Sequence, residues 1–116
     1  MKILIVDDDQ NILRLYKEEL EEEGYTIVTA SNGQEALEQF EKETPDLVTL
    51  DILLPDIDGI KLLRQMKEKR PRMPIIMSTA YDYRDDFAVW ASEAYIVKSS
   101  DLNELKATIK RLAAQG

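Results

Sequence analysis

Residues 2–9 read KILIVDDD, a short apolar run that ends in three consecutive aspartates. Three later stretches are built in the same way: residues 46–51 read DLVTLD, residues 74–79 read PIIMST and residues 94–98 read AYIVK. Short runs of aliphatic and β-branched residues are typical of buried strands. If these strands are parallel, the polar residues at their ends meet at one edge of the sheet, where open α/β sheets bind ligands.

Segments with helical periodicity alternate with the predicted strands. Gly24 and Pro45 mark the ends of the first two helices, and Asp58 is the expected N-cap of the third. A further strand is predicted at residues 25–29 and a short helix at residues 87–91. The apolar positions of the longer helices are Ile12, Leu13, Tyr16, Leu20, Ala36, Leu37, Phe40, Ile60, Leu62, Leu63, Met66, Leu102, Leu105, Ile109 and Leu112. The pattern predicts five βα units, with right-handed crossovers and helices on both faces of the sheet.

The composition narrows the possible chemistry. At 116 residues, 44% of them hydrophobic, the chain is expected to form a single domain over residues 1–116. It has no cysteine and no histidine, which excludes disulfides, thiolate or imidazole catalysis, and metal sites built from those residues. A net charge of -8 argues against direct binding of nucleic acid. No apolar stretch approaches the roughly 20 residues of a membrane span, so we expect a cytoplasmic protein.

The polar residues at the strand ends suit phosphate and metal chemistry. Crowded carboxylates such as Asp7, Asp8 and Asp51 repel one another unless a cation joins them, and Mg²⁺ prefers such oxygen ligands. Asp51 stands alone at its strand end, which suits a nucleophile that accepts a phosphoryl group. Lys98 could pair with that group, and Thr79 could hydrogen-bond to it. Any single aspartate here is more simply explained as a turn or cap residue, but the combination favours a cation and phosphoryl site.

At these positions the sequence resembles the receiver domains of two-component response regulators, which have the fold of the chemotaxis regulators. The matching stretches are residues 3–8, Asp51 with Pro55 and Asp58-Gly59, residues 78–80 and residues 95–98. The resemblance implies a flavodoxin-like α/β fold: a doubly wound, five-stranded parallel sheet in the order 2-1-3-4-5, with helices on both faces.

The resemblance also implies a role for each matching acidic residue. Asp51 would be the phosphoacceptor, and Asp7 and Asp8 would form the acid pair. Asp8, Asp51 and the backbone carbonyl of Leu53 would be the direct ligands of Mg²⁺, for which Mn²⁺ may substitute. Asp9 lies one residue past the acid pair and is left out of this set.

The remaining matches concern the switch. Thr79 would be the switch hydroxyl, Tyr95 the switch aromatic residue and Lys98 the phosphate-pairing lysine. The sequence departs from the family pattern in two places: Lys98 is followed by Ser99 where the family usually has proline, and the stretch between Thr79 and Lys98 is short.

The resemblance implies a phosphorylation switch. A histidine kinase or phosphotransfer protein would donate the phosphoryl group, and a downstream protein target or output domain would read the change. Such a domain catalyses its own phosphotransfer and dephosphorylation but turns over no other substrate. Two alternatives stay open: an interaction module of the same fold that works without phosphorylation, and an aspartate-nucleophile phosphatase, since residues 7–9 contain Asp-x-Asp. The short chain and Gln10 argue against the phosphatase.

Overall fold

The described residues form a five-stranded sheet with helices packed on both faces. The computed structural model describes residues 1–79, 94–97 and 102–115. Within those ranges the strands are β1 (Lys2–Val6), β2 (Thr26–Ala30), β3 (Leu47–Leu50), β4 (Ile75–Thr79) and β5 (Ala94–Val97). The helices are α1 (Gln10–Glu22), α2 (Gly33–Glu43), α3 (Gly59–Lys69) and α4 (Asn103–Gln115). None of these helices has the length and hydrophobicity to cross a membrane.

The strands lie in the order β2-β1-β3-β4-β5, and every neighbouring pair is parallel. This confirms the predicted fold class and strand order. Val6 pairs with Leu50, and Leu50 pairs with Met77. The residues that follow these three in sequence are Asp7, Asp51 and Ser78, so they lie side by side across three adjacent strands.

The two faces of the sheet bury separate apolar clusters. Alternate strand residues such as Leu4 and Leu50 pack with α2 and α3, and the intervening residues such as Ile5 and Ile76 pack with α1 and α4. The predicted apolar positions of α1 and α4 lie in or against the second cluster, and those of α2 and α3 lie in or against the first. Because side chains alternate along a strand, Asp7, Asp51 and Ser78 belong to the α1 and α4 face.

Several strand boundaries differ from the prediction by one or two residues, and hydrogen bonding explains two of the differences. Tyr25 is not part of β2, because its backbone N–H bonds to the carbonyl of Leu20, and the N–H of Gly24 bonds to Glu21. This pattern is a Schellman motif, and the φ of 96° at Gly24 is the left-handed conformation that it requires. At the other boundary, β4 continues through Ser78 and Thr79, because both pair with β5. The short helix predicted at residues 87–91 lies outside the described residues.

Candidate functional site

Three carboxylates converge at the carboxyl edge of the sheet. Asp7 and Asp8 follow β1, and Asp51 follows β3, the neighbouring strand. One carboxylate oxygen from each lies within 4.8 Å of the others. Asp7 and Asp51 are buried, with 2% and 5% of their surface exposed, whereas Asp8 is open to solvent. The structure therefore brings together the three acidic residues that the sequence suggested, in a group that a small ligand can reach from the Asp8 side.

The donor set of this cluster fits a hard divalent cation. Mg²⁺ takes octahedral oxygen ligands at about 2.1 Å, so oxygens on opposite sides of the ion are about 4.2 Å apart. A cluster whose ligand atoms lie within 4.8 Å of one another is close to that size. Mg²⁺ also keeps several water ligands, which leaves positions for a phosphoryl oxygen.

Backbone hydrogen bonds hold the two buried carboxylates. Asp7 Oδ1 accepts the N–H of Asp9 at 2.9 Å, and Asp51 Oδ1 accepts the N–H of Leu53 at 3.3 Å. Asp9 plays a different role, because its side chain accepts the N–H groups of Asn11 and Ile12 and caps α1. Each buried carboxylate is thus fixed by the chain segment that follows it.

The start of α3 touches the backbone of Asp51. A Cβ on Gly59 would overlap the Asp51 carbonyl oxygen and lie 2.6 Å from the Cα of Ile52, so only glycine fits. The N–H of Gly59 donates to the carbonyl of Ile52 at 2.8 Å. Asp58, one residue earlier, caps α3 by accepting the N–H of Ile60 at 2.8 Å. The first turn of α3 is therefore in direct contact with the backbone of the proposed phosphoacceptor.

Leu53 lies in the loop between Asp51 and α3. It forms an isolated antiparallel bridge with Asp58, and 48% of its surface is exposed. The N–H of Leu53 points back to the Asp51 carboxylate, as described above. Its backbone therefore lies beside the acid cluster, where a carbonyl ligand is expected.

Asp56 has a role that the sequence did not reveal. Its carboxylate accepts the N–H of Gly33 at 2.7 Å and the N–H of Gln34 at 3.0 Å, both at the start of α2. The hydrogen bond from Gly33, with a smaller contribution from that of Gln34, lowers the pKa of Asp56 below its ordinary value. The sequence offers only a weak signal for this role. Asp56 lies in a loop next to α3, but that helix is already capped by Asp58, so Asp56 has no nearby helix to cap.

Ser78, to which the sequence analysis gave no role of its own, lies next to Asp51 across the sheet. Its side chain is 3% exposed, and Ser78 Oγ has no hydrogen-bond partner within the described part of the chain. Its other neighbour in register is Ile96 of β5, so the hydroxyl lies between the acid cluster and an apolar cluster. A buried hydroxyl without a hydrogen-bond partner carries a free-energy cost, so we expect Ser78 to reduce the stability of the metal-free chain.

The three predicted switch residues are described only in part. Thr79 is the last residue of β4, and Tyr95 of β5 pairs with Met77. The side chains of Thr79 and Tyr95, and all of Lys98 and Ser99, lie outside the described residues. Their roles therefore remain predictions.

The sequence is similar to those of known response regulators. The sequence matches the response regulator receiver domain family over residues 3–110. It is 39% identical over 114 residues to the alkaline phosphatase synthesis transcriptional regulatory protein PhoP of Bacillus subtilis, covering 96% of this chain and 48% of that protein. It is 37% identical over 113 residues to the response regulator ArlR of Staphylococcus saprophyticus, covering 96% of this chain and 51% of that protein. The chain thus spans about half the length of these curated relatives.

Solved structures give a similar result. The chain is 48% identical to the response regulator protein TrrA of Thermotoga maritima in complex with Mg(2+)-BeF, with a TM-score of 0.92 over 96% of this chain and 97% of that chain. TrrA has also been solved in complex with the histidine kinase ThkA, and that TrrA chain matches with a TM-score of 0.90, 48% identity and the same coverage.

Proposed function

The chain belongs to the response regulator receiver domain family, and we propose that it acts as a phosphorylation switch whose phosphoacceptor is Asp51. The observation that carries the assignment to Asp51 is the convergence of Asp7, Asp8 and Asp51 within 4.8 Å. Asp51 is the member of this cluster that comes from the central strand of the sheet, where the neighbouring strands supply groups on both sides.

In the proposed reaction an oxygen of the Asp51 carboxylate attacks the phosphorus atom of a phosphohistidine. The bond between phosphorus and the donor nitrogen breaks, and the histidine leaves as the product. When bound to Asp8, Asp51 and the carbonyl of Leu53, with Asp7 beside them, Mg²⁺ would supply positive charge to the phosphoryl oxygens; Mn²⁺ is proposed as a substitute. The hydrogen bonds from Asp9 to Asp7 and from Leu53 to Asp51 hold the carboxylates in place before the donor arrives.

We assign the switch to Thr79, Tyr95 and Lys98. Thr79 would hydrogen-bond to the phosphoryl group, Lys98 would pair with its charge, and Tyr95 would respond to the movement of Thr79. A Lys98→Ala variant should fold and accept the phosphoryl group, yet show smaller amide shifts than the wild type on addition of beryllofluoride. Equal shifts in the two proteins would remove Lys98 from this role.

The proposed donor is a histidine kinase or a phosphotransfer protein. This is supported by the complex of the similar regulator TrrA with the kinase ThkA. The downstream partner would be a protein target or an output domain, since the curated relatives are transcriptional and response regulators about twice as long as this chain. The net charge of -8 supports the view that this chain does not itself bind nucleic acid. We place the reaction in the cytoplasm and propose no turnover of other substrates.

The phosphatase alternative finds no support in the geometry. Its Asp-x-Asp motif needs both Asp7 and Asp9 in the reaction site, but the Asp9 side chain accepts hydrogen bonds from the first turn of α1. The alternative of a module that works without phosphorylation is separated from our proposal by experiment.

The proposal is tested by incubating the chain with acetyl phosphate in the presence of Mg²⁺ or EDTA and measuring the intact mass. We expect one phosphoryl group per chain only with Mg²⁺, and none on Asp51→Asn. Asp46 is an exposed aspartate at the opposite edge of the sheet, so Asp46→Asn is the matched control and should be labelled like the wild type. A wild-type chain that takes no label would favour the phosphorylation-independent module, and full labelling of Asp51→Asn would assign the reaction to another residue.

A further inference from the structure

The loop between Asp51 and α3, residues 52–58, is hydrogen-bonded to the N-termini of two helices, α2 and α3. On one side Asp58 and Gly59 join it to the first turn of α3. On the other side Asp56 joins it to the first turn of α2, which is 22 to 23 residues away in sequence. Both attachments are made at helix N-termini, where backbone N–H groups without helical partners attract a carboxylate.

The attachment to α2 uses the whole carboxylate of Asp56. Oδ1 accepts the N–H of Gly33 and Oδ2 accepts the N–H of Gln34. The next N–H, that of Glu35, goes to Asn32 Oδ1 at 2.8 Å, so the local cap and the remote carboxylate share the end of the helix. The carboxylates within 4.8 Å of one another include Asp7, Asp8 and Asp51 but not Asp56, so Asp56 anchors the loop and does not belong to the acid cluster.

Packing supports the same attachment. A Cβ built on Gly33 would overlap Cγ2 of Ile57 and lie 3.2 Å from Asp56 Oδ1. A side chain at position 33 would therefore require the side chain of Ile57 to move. Ile57 also packs against the apolar cluster between the sheet and helices α2 and α3. The loop is thus held by polar and apolar contacts at adjacent residues.

We propose that Asp56 is a positioning residue for the cation site: by tying loop 52–58 to α2, it holds the backbone of Leu53 beside Asp51. The proposal rests on the proposed function, in which the Leu53 carbonyl is a metal ligand. Its physical basis is that a backbone carbonyl has no rotamer of its own, so its direction is set by the loop on both sides. Asp51 fixes the loop before Leu53, and Asp56 fixes it three residues later.

The test is a comparison of Mg²⁺ affinity and folding stability in the same set of variants of the whole chain. Loss of a group that orients a metal ligand typically costs 10-fold to 100-fold in affinity, so Asp56→Ala should raise the Kd for Mg²⁺ by about tenfold or more. Asp56→Asn keeps one acceptor oxygen for Gly33 or Gln34 and should recover part of the loss. Asp46→Ala is the matched control. Asp46 is exposed, and its carboxylate accepts the backbone N–H of Lys2 at 2.8 Å, so this variant removes the same charge and a similar hydrogen bond. Its Kd should stay close to that of the wild type.

A second variant tests the attachment without any change of charge. Gly33→Ala places a methyl group against Ile57 and should displace the loop, so its Kd for Mg²⁺ should also rise. If Asp56→Ala and Gly33→Ala are less stable but bind Mg²⁺ like the wild type, Asp56 is only a helix cap and the inference is wrong. A wild-type chain that binds no Mg²⁺ would instead contradict the proposed function, and the positioning role would fall with it.

Discussion

Two groups of aspartates occupy the same edge of the sheet, a few residues apart in sequence, and their surroundings are opposite. In the first group each carboxylate faces other carboxylates, within 4.8 Å; its members are Asp7, Asp8 and Asp51. In the second group each carboxylate accepts N–H groups at the start of a helix; its members are Asp9, Asp56 and Asp58. The residue type and the edge are the same, so the difference comes from what each side chain faces.

This difference predicts opposite contributions to stability. A carboxylate at a helix N-terminus satisfies N–H groups that lack a helical partner and interacts favourably with the helix dipole. Carboxylates that face one another repel, and the repulsion is relieved when a cation binds. We therefore expect the second group to stabilise the fold, and the first to reduce the stability of the metal-free protein and to carry the proposed phosphoryl chemistry.

The largest expected effect comes from breaking the close contact between the start of α3, which Asp58 caps, and the backbone of Asp51. Gly59→Ala would force a Cβ against the backbone of Asp51 and Ile52, neither of which can rotate away as a side chain would. We expect a loss of about 3 kcal/mol in the free energy of unfolding, at the upper end of the usual cost of overpacking. Urea denaturation followed by circular dichroism measures it.

Gly24→Ala is the control for this variant. A Cβ at Gly24 would meet nothing within 4 Å, so only the strain of its φ of 96° is added. That strain costs about 1 to 2 kcal/mol. Equal losses in the two variants would mean that the contact between α3 and Asp51 is not tight.

Loss of a helix cap should have a smaller effect. Asp58→Ala removes the acceptor of the Ile60 N–H and should lower the free energy of unfolding by about 1 kcal/mol. Asp58→Asn should retain most of the stability, because asparagine caps helices about as well as aspartate. A gain in stability for Asp58→Ala would mean that Asp58 destabilises the fold as the clustered carboxylates are expected to do, and would contradict the distinction between the two groups.

Ser78 offers a test of the polar environment beside the acid cluster. Its buried hydroxyl has no partner among the described residues, so Ser78→Ala should stabilise the metal-free protein by about 1 kcal/mol. Ser31→Ala removes a hydroxyl that donates to Glu35 Oε1 at 3.0 Å and should not stabilise. Thermal denaturation of the two variants in EDTA decides this, and a destabilised Ser78→Ala would show that the hydroxyl is satisfied in solution.

The smallest expected effect is the pH dependence of the Asp56 attachment. The hydrogen bond from Gly33 lowers the pKa of Asp56 in the folded chain below the ordinary value of 3.8. A lowered pKa contributes stability that is present above the unfolded value and is lost as the pH falls through the folded value. The stability difference between the wild type and Asp56→Asn should therefore be constant above about pH 5 and shrink at lower pH. A difference that grows on acidification would contradict the assigned hydrogen bonds.

The sequence predicted the parts of the molecule that depend on local pattern. The helical faces and the meeting of Asp7, Asp8 and Asp51 follow from apolar periodicity and from the parallel arrangement of strands, whereas the strand order was implied by the resemblance to receiver domains. The cap at Asp58 was also predicted, because a cap and its helix are neighbours in the chain.

What the sequence did not predict depends on contacts between distant segments. Asp56 and α2 are separated by more than 20 residues, and no local signal pairs a loop carboxylate with a helix whose own cap, Asn32, is present. The extension of β4 to Thr79 depends on pairing with β5, and the role of Gly59 depends on the backbone of Asp51. The pattern placed Ser78 at the same edge as Asp51, but its burial and the lack of a partner for its hydroxyl among the described residues depend on the packing of the folded chain.

The most direct test of the difference between the two groups is the free energy of unfolding of Asp8→Asn and of the wild type, each measured in EDTA and in Mg²⁺. Asp8 is the exposed member of the cluster, so its substitution changes charge with little change in packing. Without metal we expect Asp8→Asn to be more stable than the wild type, because one repelling charge is gone. With Mg²⁺ the wild type should gain stability, since the ion binds only the folded cluster, and Asp8→Asn should gain much less. An Asp8→Asn protein that is less stable than the wild type without metal would contradict the account, because Asp8 would then stabilise the fold as the capping aspartates do.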